Sequence, residues 1–181
     1  KLFVNDYMLP RGTLRDLPIE SRRANTVVVT KCPPGMQPID RRIVNNQLML
    51  PSYQHLCYSS IAYGEVELPG TPLLVAGIAN PKPLLEYLKK QYPKTTLMEY
   101  RDHHAFSHRD VQKILKLAEQ FDCVVTTEKD YMRMQQTSLV QQLGEKLIVV
   151  PIKTDFGEDK ETFDRAVMLY VAENNRQKNT P

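Results

Sequence analysis

The sequence predicts an α/β protein with a mostly parallel sheet and helices on both faces, an α/β/α sandwich. Three observations predict it. From residue 73 onward strand-like and helix-like segments alternate, the mark of βαβ units. The apolar runs are short, rich in β-branched residues and bounded by turn residues, which suits strands buried on both faces. The segments between them repeat apolar residues at helical spacing, most clearly Val111, Ile114, Leu115 and Ala118.

Taken in order, strands fall near 2–5, 26–30, 73–77, 95–99, 122–126 and 146–150. Segments 55–61 and 63–68 form a further antiparallel pair turning at Tyr63-Gly64. A helix over 82–91 takes Asn80 as its cap and Pro81 in its first turn. The helix over 108–120 opens on Ser107 with Asp110 three residues later, a capping-box pattern. Another helix begins near Thr127. The last covers 159–174 with Phe163, Ala166, Val167 and Tyr170 inward, and 175–181 is a polar, flexible tail. Residues 71–174 thus make one α/β/α domain and 51–70 a β connector. Residues 1–50 are a separate α/β piece, too short to close its own sheet, so partner strands are expected upstream.

Of the 181 residues, 41% are hydrophobic and 25% charged, ordinary for a soluble globular chain. A net charge of +3 with both signs interspersed argues against a dedicated nucleic-acid binder. Cys32, Cys57 and Cys123 lie far apart with no C-x-x-C spacing, so neither a zinc site nor a disulfide framework is indicated. Cys32 and Cys123 read as small core residues in a reducing compartment. No apolar run approaches the roughly 20 residues of a membrane helix. No signal peptide is visible, and the opening Leu2-Phe3-Val4 reads like the middle of a protein. Tyr53, Tyr58 and Tyr63 recur every five residues, matching neither helix nor strand, and read as packing residues.

Ligands of open α/β sheets bind beyond the carboxyl ends of the strands. Three polar segments occupy such ends: Gly77-Ile78-Ala79-Asn80, Arg101-Asp102-His103-His104 and Thr126-Thr127-Glu128-Lys129-Asp130. If their strands are neighbours, the loops share one rim. An Asp beside a His fixes its tautomer and raises its basicity, which suits Asp102 and His103 to general-base work. The bland alternative is a turn held by Asp102 with both imidazoles solvated. Thr127 and Asp130 are explained as a helix start, while Lys129 could reach a phosphate there. Gly77 and Asn80 make a tight turn whose N–H groups stay free for an anion. Nearer the start, Arg15 offers a planar fork for phosphate with Asp16 to hold it, or else a surface ion pair. His55 and His108 have no comparable setting.

Taken together and in order, Asn5-Asp6 with Leu9-Pro10-Arg11-Gly12-Thr13-Leu14-Arg15-Asp16, Gly77-Ile78-Ala79-Asn80-Pro81, Asp102-His103-His104-Ala105-Phe106 and Thr126-Thr127-Glu128-Lys129-Asp130 resemble the tetraacyldisaccharide 4′-kinase family. The resemblance implies a P-loop-type N-terminal domain, of which residues 1–50 would be a remnant, joined by a two-stranded linker to a smaller α/β/α domain. It implies transfer of the ATP γ-phosphate, with Mg²⁺, to the 4′-hydroxyl of an acylated glucosamine disaccharide 1-phosphate in lipid A biosynthesis. That substrate would be met at the cytoplasmic face of the bacterial inner membrane. His103 would work with an aspartate of the N-terminal domain to activate the sugar hydroxyl, Asp102 supporting it. Arg15 would contact phosphate or substrate, with Lys129 and Asn80 as weaker contributors. Asp16 stands where the family usually has glutamate.

The chain departs from the family by absence. It contains no G-x-x-x-x-G-K-[ST] segment and no Asp-Asp-Gly-Phe-Gln segment. Phosphoryl transfer depends on such anchors, so these residues alone are expected to be inactive. Two rivals remain open. A metal-dependent phosphoesterase also places Asp-His-His after a strand, but needs further aspartates for two metals, and no D-x-D lies upstream. A non-catalytic module binding a nucleotide or sugar phosphate is the other.

Overall fold

The computed structural model describes residues 1–178. Its strands are β1 (Thr26–Cys32), β2 (His55–Tyr63), β3 (Pro72–Ala76), β4 (Thr96–Glu99), β5 (Cys123–Thr127), β6 (Leu147–Val150) and β7 (Ile152–Asp155). Its α-helices are α1 (Pro38–Leu48), α2 (Lys82–Gln91), α3 (His108–Ala118), α4 (Glu128–Met134), α5 (Leu139–Leu143) and α6 (Lys160–Lys178). By packing, the chain divides into Lys1–Ala62 with the residues from Thr154 on, and Tyr63–Lys153. The last helix, grouped from the sequence with 71–174, therefore packs with the N-terminal residues.

The first unit is built on a sheet of order β1-β2-β7, with β1 parallel to β2 from Thr26↔His55 to Val29↔Tyr58. The strand expected over 2–5 is instead a 3₁₀ turn, Phe3–Asn5. Asp6 explains the curl: its carboxylate gathers the Lys1 ammonium at 2.7 Å, the Tyr7 N–H at 2.8 Å and the Thr13 hydroxyl. The hairpin expected from 55–61 and 63–68 is also absent. One unbroken strand, β2, takes the centre of the sheet with β1 and β7 on its two sides, leaving no free edge for a hairpin partner. The Gly64 N–H donates to the Pro151 carbonyl at 2.8 Å instead.

Helix α1, not anticipated in detail, starts with Pro38 in its first turn and stops where Met49 turns left-handed at φ 47°. Arg41 on α1 lies over the Tyr58 ring, 5.0 Å from its centroid, and pairs with Asp159 at 3.1 Å. Asp159 also accepts from the Tyr58 N–H at 2.9 Å, tying β2 to the residues that lead into α6. Helix α6 runs to Lys178, past the expected end at 174, and residues 179–181 of the expected tail lie outside the described residues. Phe163 does stack on Phe156, centroids 4.1 Å apart, but Val167 and Tyr170 are 43% and 65% exposed rather than inward. The run Ala166-Val167-Met168-Leu169-Tyr170-Val171 spreads apolar groups around the helix, so one face cannot bury them all.

The second unit contains the all-parallel sheet β4-β3-β5-β6. Every residue of β3 and β5 is buried, and alternation along them sorts the core into two layers. Leu73, Val75 and Val124 pack with Val111, Ile114 and Ala118 of α3, Met134 of α4, and Leu139 and Leu143 of α5. Leu74, Ala76, Cys123 and Val125 pack with Leu84 and Leu88 of α2. Helices therefore cover both faces, as the sequence predicts. Cys123 and Cys57 are buried, whereas Cys32 is only half-buried. Asn80 is not the α2 cap: Pro81 holds that position, and the Asn80 side chain accepts from the Lys82 N–H at 3.3 Å.

The Ser107–Asp110 capping box is present. The Asp110 carboxylate accepts from the Ser107 N–H at 2.8 Å and the Ser107 hydroxyl at 2.6 Å, and meets His104 Nε2 at 3.0 Å. Bonds from Ser107, then His104, hold the Asp110 carboxyl down to about 2. Its folded value is below the unfolded one, so its stabilisation is complete above about pH 4 and fades as pH falls towards 2. Asp110→Ala should therefore cost about 1 kcal/mol at pH 7, with variant and wild type converging in acid, readable from urea midpoints at several pH values. Ile114→Ala, which opens a hole in the α3 face of the core, should cost about 2–5 kcal/mol at any pH.

Candidate functional site

The order β4-β3-β5-β6 has a topological switch. After β3 the chain passes through α2 to β4 on one side, then returns through α3 to β5 on the other. Helices α2 and α4, which follow β3 and β5, leave towards opposite faces, so a crevice opens at the carboxyl ends of these two strands. The three polar loops singled out from the sequence meet there. The Tyr100 N–H donates to the Ala76 carbonyl at 2.8 Å, joining the loop after β4 to the end of β3.

Asp130 holds the rim together. Its side chain is completely buried, yet it lies in the first turn of α4. One oxygen accepts from the Gly77 N–H at 2.9 Å and the Thr127 hydroxyl at 3.0 Å; the other takes the Arg133 guanidinium at 3.0 Å. Arg133 also donates to the Gly77 carbonyl at 3.1 Å. Gly77 itself is wedged: a Cβ there would stand 3.2 Å from Asp130 Oδ1 and 3.4 Å from the Arg101 carbonyl. Its N–H is consequently not free for an anion, contrary to the sequence expectation. Thr127 caps α4 by accepting from the Asp130 N–H at 3.1 Å, as expected of a helix start.

Above this floor stands the Asp102-His103-His104 turn. His103 is left-handed at φ 61°, and its N–H donates to Asp102 Oδ1 at 3.0 Å. The same oxygen receives Lys129 Nζ at 3.1 Å. That bond above all, helped by the His103 N–H, lowers the Asp102 carboxyl below its ordinary range, so Asp102 is anionic at neutral pH. His103 Nε2 lies 3.6 Å from Asp102 Oδ2, too far for a hydrogen bond. His103 Nδ1 instead faces Arg133 Nη2 at 3.1 Å. The imidazole is 75% exposed.

His104 points the other way. It stacks on Tyr100 with centroids 4.6 Å apart, meets Phe106 edge-on and bonds Asp110, so its part is to pin the loop. Burial, with Asp110 nearby, pushes the Tyr100 hydroxyl up to about 12. Lys129 is spoken for by Asp102, and Asn80 is exposed with its oxygen turned to Lys82.

Arg15 and Asp16 belong to the other unit. Both are exposed; Asp16 accepts from the Leu17 N–H at 2.8 Å, and among the described residues no Arg15–Asp16 ion pair forms. The loop that presents Arg15 is shaped by Asp6, whose carboxyl is held well below the usual range by Lys1 first and Thr13 next. A Cβ on Gly12 would overlap the Tyr7 carbonyl oxygen, so only glycine fits that return of the chain. Arg133 and Asp130 are the site residues that sequence reasoning passed over or explained locally. Their i, i+3 spacing on α4 was the available signal.

Among the described residues no three His, Cys, Asp or Glu side chains gather as metal ligands. Among the described residues no helix is long and apolar enough to cross a membrane.

A family model described as tetraacyldisaccharide-1-P 4′-kinase matches residues 1–171. The tetraacyldisaccharide 4′-kinase of Bacteroides thetaiotaomicron is 36% identical over 97% of this chain and 54% of its own length. That of Flavobacterium johnsoniae is 36% identical over 96% of this chain and 52% of its own, and that of Parabacteroides distasonis 35% identical over 100% and 54%. The chain thus spans about half the length of the curated relatives it matches. With both the ordered motifs and the matched length in agreement, the chain belongs to the tetraacyldisaccharide-1-P 4′-kinase family.

Proposed function

We propose that these residues form the part of a lipid A 4′-kinase that brings a histidine to the acceptor hydroxyl. In this reading the 4′-oxygen of a tetraacyl glucosamine disaccharide 1-phosphate attacks the γ-phosphorus of ATP. The β–γ bridging bond breaks, ADP departs, and the hydroxyl proton passes to a base. The observation that carries the reading is the exposed His103, set in a left-handed turn at the switch-point rim beside a carboxylate kept ionised by Lys129. A side chain so placed is free to meet a substrate or a second domain, and imidazole exchanges protons near neutral pH.

His103 works with an aspartate from outside these residues, and Asp102 supports the turn that presents it. Arg15, exposed on a loop fixed by Asp6, contacts phosphate or substrate, with Asp16 beside it. Lys129 can trade Asp102 for a phosphate oxygen, since an exposed ion pair is worth little. Asn80 borders the same rim. ATP would be held mainly by residues other than these, and Mg²⁺ bound with it would supply neutralisation of the phosphate charge. The work takes place at the cytoplasmic face of the bacterial inner membrane, with no nucleic-acid partner. Family membership favours this reading over the phosphoesterase and the non-catalytic module.

In the full-length gene product, His103→Ala should lower turnover by about 100-fold or more while ATP binding stays near wild type, as loss of a proton-handling group demands. Unchanged turnover removes His103 from the reaction. The 181 residues alone should bind ATP weakly at best, and tight Mg²⁺-dependent binding in calorimetry would contradict the division of labour.

A further inference from the structure

The Arg133 guanidinium is anchored from behind at the switch-point rim. Nη1 donates both to the fully buried Asp130 carboxylate at 3.0 Å and to the Gly77 carbonyl at 3.1 Å. Nη2 lies 3.1 Å from His103 Nδ1. A guanidinium carries five N–H donors and no acceptor. These contacts engage three of them, which leaves the Nε–H and one Nη2 hydrogen unspent. Among the described residues Gln54 Oε1 is the one buried side-chain nitrogen or oxygen that lacks a partner. Arg133 Nε, which makes no hydrogen bond there either, is therefore open to solvent. The side chain as a whole is only 18% exposed. A cation is thus fixed by a buried carboxylate and a carbonyl while part of its fork faces out, so it can take an oxyanion with little further loss of freedom.

A second cation stands on the same face. Lys129 is four residues earlier on α4, and its Nζ reaches Asp102 Oδ1 at 3.1 Å. Both partners of that pair are at least one-third exposed, so the bond is worth little and opens readily to a competing anion. Of the two carboxylates nearby, Asp130 lies behind the guanidinium and Asp102 on the outward side. Asp102 is then the group that an incoming anion has to displace.

From this geometry we infer that Arg133 and Lys129 form a subsite for a phosphate dianion beside His103, with Asp102 as the counter-ion that leaves Lys129 when phosphate enters. The ligand chemistry is that of a terminal phosphate, carried by a nucleotide or by a sugar. Arg133 supplies direction as well as charge, because a guanidinium fork meets two phosphate oxygens at once and an ammonium does not. The inference takes this rim as the reacting end of the protein, and in that respect rests on the reading of His103 given above.

Inorganic phosphate titrated into the ¹⁵N-labelled 181-residue chain, at constant ionic strength, tests the subsite. The Arg133 Nε–H and the backbone amides of His103 and Lys129 should shift together and saturate with a Kd on the order of millimolar, while the His55 amide stays in place. Arg133→Gln should weaken binding by about tenfold or more, and Lys129→Gln by about threefold. Arg133→Lys keeps a cation for Asp130 but loses the fork; it should weaken binding too, and decides the matter if the Gln variant does not fold. Asp102→Asn keeps an acceptor for the His103 N–H and removes only the competing charge, so it should bind phosphate about threefold more tightly. Affinity unchanged in a folded Arg133 variant, or weakened in Asp102→Asn, overturns the subsite.

ATP without Mg²⁺ and glucosamine 1-phosphate, titrated in turn, separate the two sources of phosphate. The one that moves the Arg133 Nε–H at lower concentration names the group the subsite meets, and failure of both to move it overturns the inference. Unchanged turnover in full-length His103→Ala would sink the reading of His103 and leave these binding constants as they are, so the two failures are told apart.

Discussion

A carboxylate with no exposure to water is costly unless every oxygen is satisfied and its charge is met. Asp130 meets that condition through the Gly77 amide, the Thr127 hydroxyl and the Arg133 guanidinium, and these partners come from two different loops. The loop after β3 and the start of α4 therefore cannot separate without stranding a buried charge. Because Arg133 continues from Asp130 to His103, the same constraint reaches the loop after β4. The rim of the sheet is thus set by one buried ion pair rather than by the polar letters that line it.

The same arrangement recurs across the chain. Asp6 shapes the loop that carries Arg15, Asp110 fixes His104 and the start of α3, and Asp159 ties β2 to α1. In each case an inward or half-covered carboxylate accepts several donors and leaves a cation or an imidazole on the outside.

How legible was this in the sequence? Elements whose signals are local and whose partners lie close by were read well: α2, α3 with its Ser107 cap, β3, β5, and the placing of helices on both faces. Continuous apolar runs suffice for β3 and β5 because both their faces are buried, and the 3.6-residue period suffices for α3 because one face is. The failures came where long-range partners decide. Phe3–Asn5 looks like a strand, but Asp6 curls it; β2 looks like half a hairpin, but β1 and β7 already flank it. At the rim, the convergence of the three loops was legible. Arg133 was not, because its part depends on a hydrogen bond to a residue thirty positions earlier. The Gly77 amide was misassigned for the same reason, being taken up by a carboxylate fifty-three positions later.

The chemistry of the turn follows from which groups can change charge. Asp102 and Asp110 are both held ionised by their donors, and neither can supply or store a proton near neutral pH. Tyr100 is pushed up to about 12 and is equally silent. Among the described residues proton exchange at this rim then falls to the exposed imidazole of His103, whose Nδ1 lies 3.1 Å from the guanidinium that Asp130 holds in place.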